Sequence, residues 1–246
     1  MQHLIEAVHY YRELKEKHDC HLELELRLGY ENGGTFCPGV DKDLFFKLES
    51  EMKETNLNEV IKTWKEHVDY HYVDTTGRNL RTRVEFNTDD MMIMKNHVQK
   101  ITEMTFLFKK NCDPSGEAVR LAISREIDIN DPPTHCIPTH VRIKQRKEFT
   151  DVRDMDTVWS YELSKTWSSS SKSSVEHKQH VCEPVFEVEC ELVDRTQNYL
   201  SKLTDAEIAE SILLKAKILI GDEHANLEIK AEQNKLKSKR KKTCRS

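Results

Sequence analysis

The sequence predicts an α+β fold, in which a closed antiparallel eight-stranded β-barrel with a charged interior is surrounded by helices. Three observations predict it. About eight segments have the residue pattern of strands, and most are joined by hairpin-like connections. Segments with helical periodicity stand before, between and after these strands. Three of the strands carry charged residues along one face, which suits a barrel whose polar face is turned inward.

The charged faces follow from the alternation of side chains along a strand. The first strand, His21–Gly29, reads HLELELRLG, and the last, Phe186–Leu192, reads FEVECEL. A strand between them, Val141–Arg146, reads VRIKQR. The charged residues that share a face are Glu23, Glu25 and Arg27 in the first strand, Arg142, Lys144 and Arg146 in the middle one, and Glu187, Glu189 and Glu191 in the last. We expect the apolar residues to point outward under the helices and the charged residues to face a central channel.

Runs of charge of one sign indicate a specific site. Like charges on neighbouring strands repel, by about 4 kcal/mol for two carboxylates ~4 Å apart at an effective dielectric constant near 20. Such a cluster persists when cations or a metal ion neutralise it. A hard divalent cation, Mg²⁺ or Mn²⁺, suits oxygen ligands, and rows of arginine and lysine suit phosphate oxygens. The pattern predicts metal-assisted phosphate hydrolysis, although each row alone also suits an ordinary strand with its polar face in water.

The composition excludes several classes of protein. The 246 residues carry a formal net charge of −5, which excludes nucleic-acid binding by the whole surface, and we expect no specificity for DNA. The seven cysteines include no CxxC pair, which excludes a disulfide framework or a zinc module and predicts reduced thiols. His67 and His71 have helical spacing, but no HExxH accompanies them and His71 lies in a strand segment. We expect both histidines to lie at the surface.

The sequence also predicts no membrane partner. No segment approaches the ~18 apolar residues of a membrane span, and the N-terminus lacks the apolar core of a secretory signal. We therefore expect an intracellular location, in the nucleus, the cytoplasm, or a virion or viral factory.

Helices are predicted at both ends of the chain and after the first strand. Residues 3–18 place apolar side chains three and four residues apart, which is typical of an amphipathic helix. Residues 41–67 predict one or two helices, with a break at Asn56–Asn58. Asp194–Ile220 is helical in pattern, and Thr204 with Glu207 predicts a capping box within it.

The remaining strands and loops follow from turn chemistry. Glu31–Gly39 contains glycines and a proline and is predicted to be a loop. Ser168–Ser174 is nearly all serine and is predicted to be a flexible hairpin loop. A hairpin turn at Thr75–Arg78 joins the strands VDYHYVD and NLRTRVEFN. Further strands are predicted at Val98–Phe108, Ala118–Ile129, Thr139–Phe149, Val158–Trp167 and Val181–Val193.

The sequence predicts a barrel domain with flanking helices over residues 1–220 and a basic tail or linker over residues 221–246. Leu236–Ser246 reads LKSKRKKTCRS, which is basic and has no apolar periodicity. A solvated terminus or interdomain linker is the favoured interpretation. An RNA contact or a nuclear address is the alternative.

Together the three charged rows resemble a known family, the triphosphate tunnel metalloenzymes. The order Glu-x-Glu, Arg-x-Lys-x-Arg and Glu-x-Glu-x-Glu is the pattern of that family, and the resemblance extends over roughly Cys20–Val193. It is strongest to the RNA 5′-triphosphatases of fungal and large-DNA-virus mRNA capping systems. The resemblance implies a tunnel-shaped barrel that uses Mg²⁺ or Mn²⁺ to hydrolyse the γ-phosphate of nascent mRNA 5′ ends and of nucleoside triphosphates.

The resemblance also implies roles for individual residues. The metal ligands would be Glu23, Glu25 and Glu191. The residues that bind the γ-phosphate and take part in catalysis would be Arg142, Lys144 and Arg146. Further phosphate contacts would come from Arg81, Arg83 and Lys100. Glu187 and Glu189 would orient water or basic side chains, and Glu126 matches a glutamate that positions the attacking water.

One strand departs from the family pattern. Where the family usually has Arg-x-Asp-x-Thr, this chain has Ser160, Glu162 and Ser164 at the matching positions. The arginine is missing, and Lys165 does not replace it because it points to the opposite face. This side of the tunnel is therefore expected to differ from that of the family.

Two other functions remain open. The first is an inorganic tripolyphosphatase or thiamine triphosphatase with the same barrel, although such relatives typically begin Glu-x-Glu-x-Lys and Arg27 stands at that lysine position here. The second is a non-catalytic polyphosphate-binding barrel, which the retention of five glutamates disfavours. A capping triphosphatase would meet 5′-triphosphate RNA, nucleoside triphosphates and a guanylyltransferase, either as a separate partner or as a fused domain; no Lys-x-Asp-Gly motif is present in these residues.

Overall fold

The computed structural model of the chain describes residues 1–18, 20–54, 58–59, 64–86, 92–110, 116–130, 137–151, 158–193, 202–222 and 224–231. The helices in these ranges are α1 (Gln2–Lys17), α2 (Lys42–Glu54), α3 (Lys172–Val181) and α4 (Asp205–Leu219). The strands are β1 (His21–Asn32), β2 (Thr35–Pro38), β3 (Asn58–Glu59), β4 (Lys65–Val73), β5 (Asn79–Phe86), β6 (Met92–Lys110), β7 (Glu117–Asp128), β8 (His140–Asp151), β9 (Val158–Ser169), β10 (Val185–Val193) and β11 (Leu227–Ala231).

Eight of the strands close into a barrel. Their order is β10-β9-β8-β4-β5-β6-β7-β1, and the pairing of β1 with β10 completes the circle. All eight pairings are antiparallel. Each strand is thus hydrogen-bonded on both sides, so the circle has no open edge. The predicted α+β fold, a closed eight-stranded barrel surrounded by helices, is confirmed.

The apolar face of β1 points away from the barrel interior. Leu24, Leu26 and Leu28 are 0% exposed and belong to one core with the buried faces of α1, α2 and α4. Trp159 of β9 lies in the same core, and its indole N–H donates to Ser211 Oγ of α4 at 2.9 Å. The hydrophobic core of this protein therefore lies between the barrel and its helices, which leaves the barrel interior for charged residues.

The two terminal helices match their predictions. α1 begins and ends one residue before the predicted range of 3–18. α4 begins at Asp205 after a capping box, in which Thr204 Oγ1 accepts from the Glu207 N–H at 3.2 Å and Glu207 Oε2 accepts from the Thr204 N–H at 2.7 Å. Residues 194–201 of the predicted helical segment lie outside the described residues.

The segment Glu31–Gly39 is a hairpin, so the loop prediction was wrong. β1 continues to Asn32, the chain turns at Gly33 and Gly34, and β2 pairs back onto β1. Both glycines have positive φ angles, of 57° and 80°, which L side chains rarely adopt. The turn residues were recognised in the sequence, but a two-residue turn between paired strands is the structure they encode.

The β1–β2 hairpin fills one end of the barrel interior. Phe36 of β2 packs with the inward-facing Leu107 and Ala118 in a small apolar cluster. Gly29 leaves room for this ring, because a Cβ at that position would lie 2.8 Å from Phe36 Cζ and 2.3 Å from the Cys37 carbonyl oxygen. The charged part of the interior is therefore bounded at this end by apolar side chains.

The helix predicted beyond Glu54 was wrong where the structure describes it. Asn58–Glu59 forms β3, which pairs with β8, and β4 begins at Lys65. Residues 55–57 and 60–63 lie outside the described residues. Asn58 and Glu59 are polar and carry no strand pattern of their own, so pairing with β8 determines their conformation.

The serine-rich segment Ser168–Ser174 is not a flexible loop. β9 continues to Ser169, and α3 follows with Ser171 as its N-cap, whose Oγ accepts from the Ser174 N–H at 3.3 Å. Val175 of α3 is fully buried in a cluster with outward-facing residues of β4, β8 and β9. The return strand consequently starts at Val185 rather than at residue 181. Serine is a preferred N-cap residue, and the composition of the segment concealed that role.

The residues after α4 include one more strand. Leu227–Ala231 forms β11 and pairs with β6, so five residues beyond position 220 lie on the barrel sheet. The division of the chain at residue 220 stays a prediction. The basic segment Leu236–Ser246 lies outside the described residues.

Two smaller expectations concern thiols and membranes. Cys20, Cys37, Cys182 and Cys190 are free thiols. Among the described helices, none combines the length and the apolar character that crossing a membrane requires.

Candidate active site

The inward faces of the barrel strands enclose a polar cavity of ≈ 290 Å³. Eight carboxylates and seven arginines or lysines line it, together with His21, His71 and Asn96. The charged lining residues are Glu23, Glu25, Asp69, Glu85, Glu126, Glu162, Glu189, Glu191, Arg27, Arg81, Arg83, Lys100, Arg142, Lys144 and Arg146. All but one of the residues to which the resemblance gave a role are among them. The exception is Glu187, which is 3% exposed and lies behind the lining.

The strand order sets an acidic row where β1 meets β10 and basic rows on β5 and β8. β1 and β10 are neighbours, and the strands across the circle from them are β4 and β5, with β8 next to β4. We call the inward carboxylates of β1 and β10 the acidic wall, and the inward arginines and lysine of β5 and β8 the basic wall. Because β8 is only two strands from β10, Lys144 also lies near Glu187 and Glu189 of β10, so a group bound in the cavity meets carboxylates and cations close together.

Within the acidic wall, lysine and arginine neutralise one part of the charge. Lys100 of β6 forms an ion pair with Glu23, and its Nζ lies 3.5 Å from Glu25 Oε2. Burial alone would raise the pKa of Glu25, but Arg27 and Lys100 outweigh it and lower the pKa below the ordinary value. Burial opposes the charge of Lys100 as well, and Glu25 with Glu23 nevertheless raises its pKa. Glu25 and Lys100 are therefore ionised at neutral pH.

Glu191 is the less compensated member of the acidic wall. It stands opposite Glu25 in the β1–β10 pairing, and its Oε1 lies 3.8 Å from His21 Nε2. Burial raises its pKa, as does repulsion from Glu23 and Glu25, although His21 opposes the rise. A bound cation relieves this kind of repulsion between carboxylates.

The acidic wall has the donor atoms for a hard divalent cation. One ligand atom each of His21, Glu23 and Glu191 lies within 4.8 Å of the others. Glu25 faces Glu191 across the strand pairing, while its Oε1 also lies 3.0 Å from Arg27 Nη2. Carboxylate oxygens are the ligands that Mg²⁺ and Mn²⁺ prefer, so the residues present fit such an ion.

The centre of the basic wall is Lys144. Its Nζ lies 2.9 Å from Glu162, 3.6 Å from Glu187 and 3.8 Å from Glu189, and its side chain is 5% exposed. Burial favours the neutral amine, but these carboxylates raise the pKa of Lys144 above its ordinary value. On the other side, Arg27 Nη2 lies 2.6 Å from Glu189 Oε1. Lys144 is therefore a buried and charged group shared by three carboxylates.

The two arginines of β8 are held in the same way. Arg142 Nη2 donates to both carboxylate oxygens of Glu187, at 2.6 and 2.7 Å, and Thr166 Oγ1 donates to the same glutamate at 3.1 Å. Arg146 lies 3.3 Å from Glu162 and 3.4 Å from a carboxylate of β5, Glu85. Glu187 thus orients a basic side chain from behind the cavity lining.

Both arginines of β5 face inward, as the alternation of the strand requires. Arg81 Nη2 donates to Glu126 Oε1 at 2.8 Å. Arg83 makes a bidentate contact with Asp69, with N···O distances of 2.8 and 3.0 Å. Glu126 lies on β7 and pairs in register with Lys100 of β6, so it stands between two basic side chains. Glu126 is thereby fixed at the edge of the cavity, among the groups that would bind phosphate.

The prediction that His67 and His71 are surface residues was wrong. β4 extends through both, and residues four apart on a strand share one face, which here is the inward one. His67 is 1% exposed, and its Nε2 lies 3.6 Å from Asp69 Oδ2. Burial, with Arg142 nearby, lowers the pKa of His71 to about 4. Burial also lowers the pKa of His67, so both rings are neutral at pH 7.

Several lining residues were not identified from the sequence. His21 stands two residues before Glu23 and Glu85 two residues after Arg83, so the alternation rule would have found both. Asp69 follows from the same rule, because His67, Asp69 and His71 share one face of β4, while Val68, Tyr70 and Tyr72 share the other. The pairing of Asp69 with Arg83 in the β4–β5 register agrees with this assignment.

The strand that departs from the family pattern still faces the cavity with polar groups. Glu162 of β9 accepts from Lys144 Nζ at 2.9 Å and from Ser164 Oγ at 2.7 Å. Burial would raise its pKa, but Lys144 and other cations hold the pKa of Glu162 well below its ordinary value. Lys165 points outward, as expected, and its Nζ lies 4.2 Å from the centre of the Trp64 ring.

Acid is expected to destabilise the protein through Asp69 and Glu162. Burial opposes ionisation of both carboxyls. His67 and Arg83 nevertheless hold the pKa of Asp69 well below its ordinary value, and Lys144 does the same for the pKa of Glu162. Because the folded pKa values are depressed, their stabilisation is present above the unfolded values near 4 and is lost as pH falls through the folded values. We expect the free energy of unfolding, measured with urea between pH 7 and pH 3, to fall steadily below about pH 5.

Asp69→Asn tests this assignment. The variant is expected to be less stable than the wild type at pH 7 and to lose stability less steeply below about pH 5, since one of the linked carboxyls is gone. An unchanged slope would contradict the role of Asp69.

Comparisons with known proteins show the fold. No family model matches the chain, and no match was found among curated proteins by sequence. The structure of S. pombe Pct1 RNA triphosphatase matches with a TM-score of 0.64 and 16% identity over 89% of this chain and 92% of that chain. Pct1 in complex with the Spt5 CTD matches with a TM-score of 0.61 and 14% identity, over the same shares of the two chains.

The triphosphatase of the Mimivirus capping enzyme matches as well. Its TM-score is 0.56 at 14% identity, and the alignment covers 89% of this chain and 97% of that chain. At such low identity these matches establish a shared fold. The resemblance inferred from the three charged rows is therefore confirmed at the level of the barrel.

Proposed function

We propose that this chain, which shares the barrel fold of RNA triphosphatases, is a metal-dependent RNA 5′-triphosphatase that also hydrolyses nucleoside triphosphates. One observation supports the proposal most. A cavity of ≈ 290 Å³ is lined both by the acidic wall, where β1 meets β10, and by the basic wall of β5 and β8. A triphosphate that carries a divalent cation needs both kinds of group, and the likeness in fold to RNA triphosphatases favours an RNA end as the substrate.

The acidic wall is the proposed metal site. Glu23, Glu25 and Glu191 would hold the cation, with their carboxylates grouped where β1 meets β10. A bound Mg²⁺ or Mn²⁺ supplies positive charge that stabilises the phosphate oxygens as the reaction proceeds. The part of the carboxylates is to fix that charge where β1 meets β10, close to the cations of the basic wall.

The basic residues of the cavity would bind the phosphate oxygens. Arg142, Lys144 and Arg146 are assigned to the γ-phosphate, and Arg81, Arg83 and Lys100 to the remaining phosphates. Each of these side chains already contacts a carboxylate. Substrate entry is therefore an exchange, in which phosphate oxygens replace carboxylate oxygens around the same cations. The exchange keeps every buried cation paired, and unpaired buried charges are costly.

Glu126 is proposed to position the attacking water. Its carboxylate is fixed by Arg81 and stands opposite Lys100, so it lies beside two groups assigned to phosphate. Glu187 and Glu189 would hold Arg142 and Arg27 in place. Water then attacks the γ-phosphorus while the bond to the β–γ bridging oxygen breaks. The products are inorganic phosphate, a 5′-diphosphate end and a proton.

The proposed product connects this chain to cap formation. A 5′-diphosphate RNA end is the acceptor for guanylylation, so a guanylyltransferase is the proposed partner, as a separate protein or as a fused domain. The proposed location is the compartment where transcripts are capped, namely the nucleus, the cytoplasm or a viral factory.

The proposal is tested by the release of γ-phosphate from triphosphate-ended RNA. With Mg²⁺ or Mn²⁺, the purified protein is expected to release the ³²P of a γ-labelled RNA, and excess EDTA is expected to lower the rate at least about 100-fold, since the metal contributes several kcal/mol to transition-state stabilisation. Restoring the metal should restore the rate. Release that continues unchanged in excess chelator would contradict the mechanism.

The same purified protein can be used to compare hydrolysis of RNA with that of smaller substrates. We expect kcat/KM for triphosphate-ended RNA to exceed that for inorganic tripolyphosphate. A higher value for tripolyphosphate would favour the small-molecule hydrolase, and hydrolysis of neither compound at any metal concentration would favour a binding barrel.

A further inference from the structure

His21 lies at the edge of the acidic wall and belongs to none of the roles assigned above. It is the first residue of β1 and stands two residues before Glu23, so the two side chains share the inward face. It pairs in register with Glu126 of β7, and its side chain is 64% exposed. His21 is thus open to solvent while it borders both the proposed metal ligands and the glutamate assigned to the attacking water.

The distances around His21 are those of a set of metal ligands. One ligand atom each of His21, Glu23 and Glu191 lies within 4.8 Å of the others. The gap of 3.8 Å between His21 Nε2 and Glu191 Oε1 is too long for a hydrogen bond. Two ligands of one ion with bonds of about 2.1 Å are roughly 3 to 4 Å apart, so an ion between these atoms would require only a small adjustment.

Glu25 occupies a different position from these three residues. Its Oε1 lies 3.0 Å from Arg27 Nη2, and its Oε2 lies 3.5 Å from Lys100 Nζ. Lys100 also forms an ion pair with Glu23, so the contact with Arg27 is what sets Glu25 apart. His21, by contrast, points a nitrogen at Glu191. Among the described residues, the three donors that lie within 4.8 Å of one another therefore include a nitrogen atom.

We propose that His21 is a nitrogen ligand of the cation that Glu23, Glu25 and Glu191 would hold, which makes the metal site of this chain a mixed nitrogen and oxygen site. The inference rests on the proposed function, since it concerns the same site. Imidazole suits transition metals, whereas Mg²⁺ prefers oxygen and water. His21 is thus a specificity-determining residue that favours Mn²⁺ over Mg²⁺.

Binding of Mn²⁺ to the intact protein tests this assignment without turnover. At pH 8, pulsed electron paramagnetic resonance of the Mn²⁺-loaded wild type is expected to show coupling to a ¹⁴N ligand. His21→Ala should abolish that coupling and weaken Mn²⁺ binding about tenfold, with Mg²⁺ binding changed less than about twofold. His21 is exposed, so the variant is expected to fold.

His97→Ala is the matched control. His97 lies on β6 of the same barrel and its Nδ1 is 2.8 Å from Thr82 Oγ1, outside the cavity lining. The His97→Ala variant should keep both the ¹⁴N coupling and the affinity for Mn²⁺. Wild-type protein that binds Mn²⁺ without ¹⁴N coupling, and with the same affinity as His21→Ala, would overturn the inference while leaving the proposed function intact. Protein that binds no Mn²⁺ and releases no phosphate from RNA would overturn both.

Discussion

Replacing Glu23 by glutamine is expected to lower the rate of γ-phosphate release from triphosphate-ended RNA at least about 100-fold. The substitution removes one charged ligand of the proposed cation, and electrostatic groups of this kind contribute about 10²- to 10³-fold each. Glutamine keeps the size of the side chain. Lys100, the ion-pair partner of Glu23, retains Glu25 at 3.5 Å. Steady-state hydrolysis at saturating Mn²⁺, together with the binding of Mn²⁺ by calorimetry, measures the effect.

Glu103→Gln is the control for that substitution. Glu103 lies on β6, but it contacts Arg125 Nη2 at 2.6 Å and Tyr10 of α1, outside the cavity lining. It should hydrolyse RNA ends at a rate within about twofold of the wild type. The metal-site assignment fails if Glu23→Gln keeps more than a tenth of the rate while its urea unfolding curve shows that it is folded.

The alternation rule carried the sequence analysis through most of the site. It placed Glu23, Glu25 and Glu191 on inward faces, and the structure has all three lining one cavity. The rule works here because each strand has one apolar face packed under helices, so the phase of the strand can be read from its leucines. In β4 the same rule separates His67 and Asp69, which face inward, from Val68 and Tyr70, which pack on the outer face.

The elements that the sequence did not reveal are short or capped by serine. β3 consists of Asn58–Glu59, and its only described partner strand is β8. β2 and β11 likewise pair with one strand each, β1 and β6. Such elements owe their conformation to a neighbour that is distant in the chain, and local patterns carry little of that information. α3 begins at a serine cap inside a segment whose composition suggested a loop, and burial of Val175 against the barrel stabilises it.

The pairing of charges in the cavity explains how one sequence can fold and still bind phosphate. Eight carboxylates and seven cations line the cavity, so the folded protein nearly balances its interior charge. Carboxylates such as Glu162 and Asp69 serve the fold by keeping Lys144 and Arg83 charged. A triphosphate with its cation brings both signs of charge and exchanges partners with the walls. The same ion pairs therefore support both stability and substrate binding, and Lys144 contributes to both properties.

Lys144→Met is accordingly expected to destabilise the protein by about 3 kcal/mol. The substitution leaves Glu162, Glu187 and Glu189 without their shared cation. Loss of one partner of a buried ion pair costs about 3 to 5 kcal/mol. We expect a cost at the lower end of this range, because Glu187 still contacts Arg142 and Glu162 still contacts Arg146 in the variant. Urea unfolding at pH 7 measures the change, and calorimetry is expected to show weaker binding of tripolyphosphate.

A double substitution shows whether the cost arises from unpaired carboxylates. Glu162→Gln added to Lys144→Met should recover at least about 1 kcal/mol, since it removes one of the buried charges that Lys144 neutralises. Lys165 lies on the outer face of the same barrel, over Trp64. As a control, Lys165→Met should lower the free energy of unfolding by less than about 1 kcal/mol. If Lys144→Met is no more destabilising than Lys165→Met, then the carboxylates of the cavity do not depend on Lys144, and the exchange of charge partners proposed for substrate entry loses its physical basis.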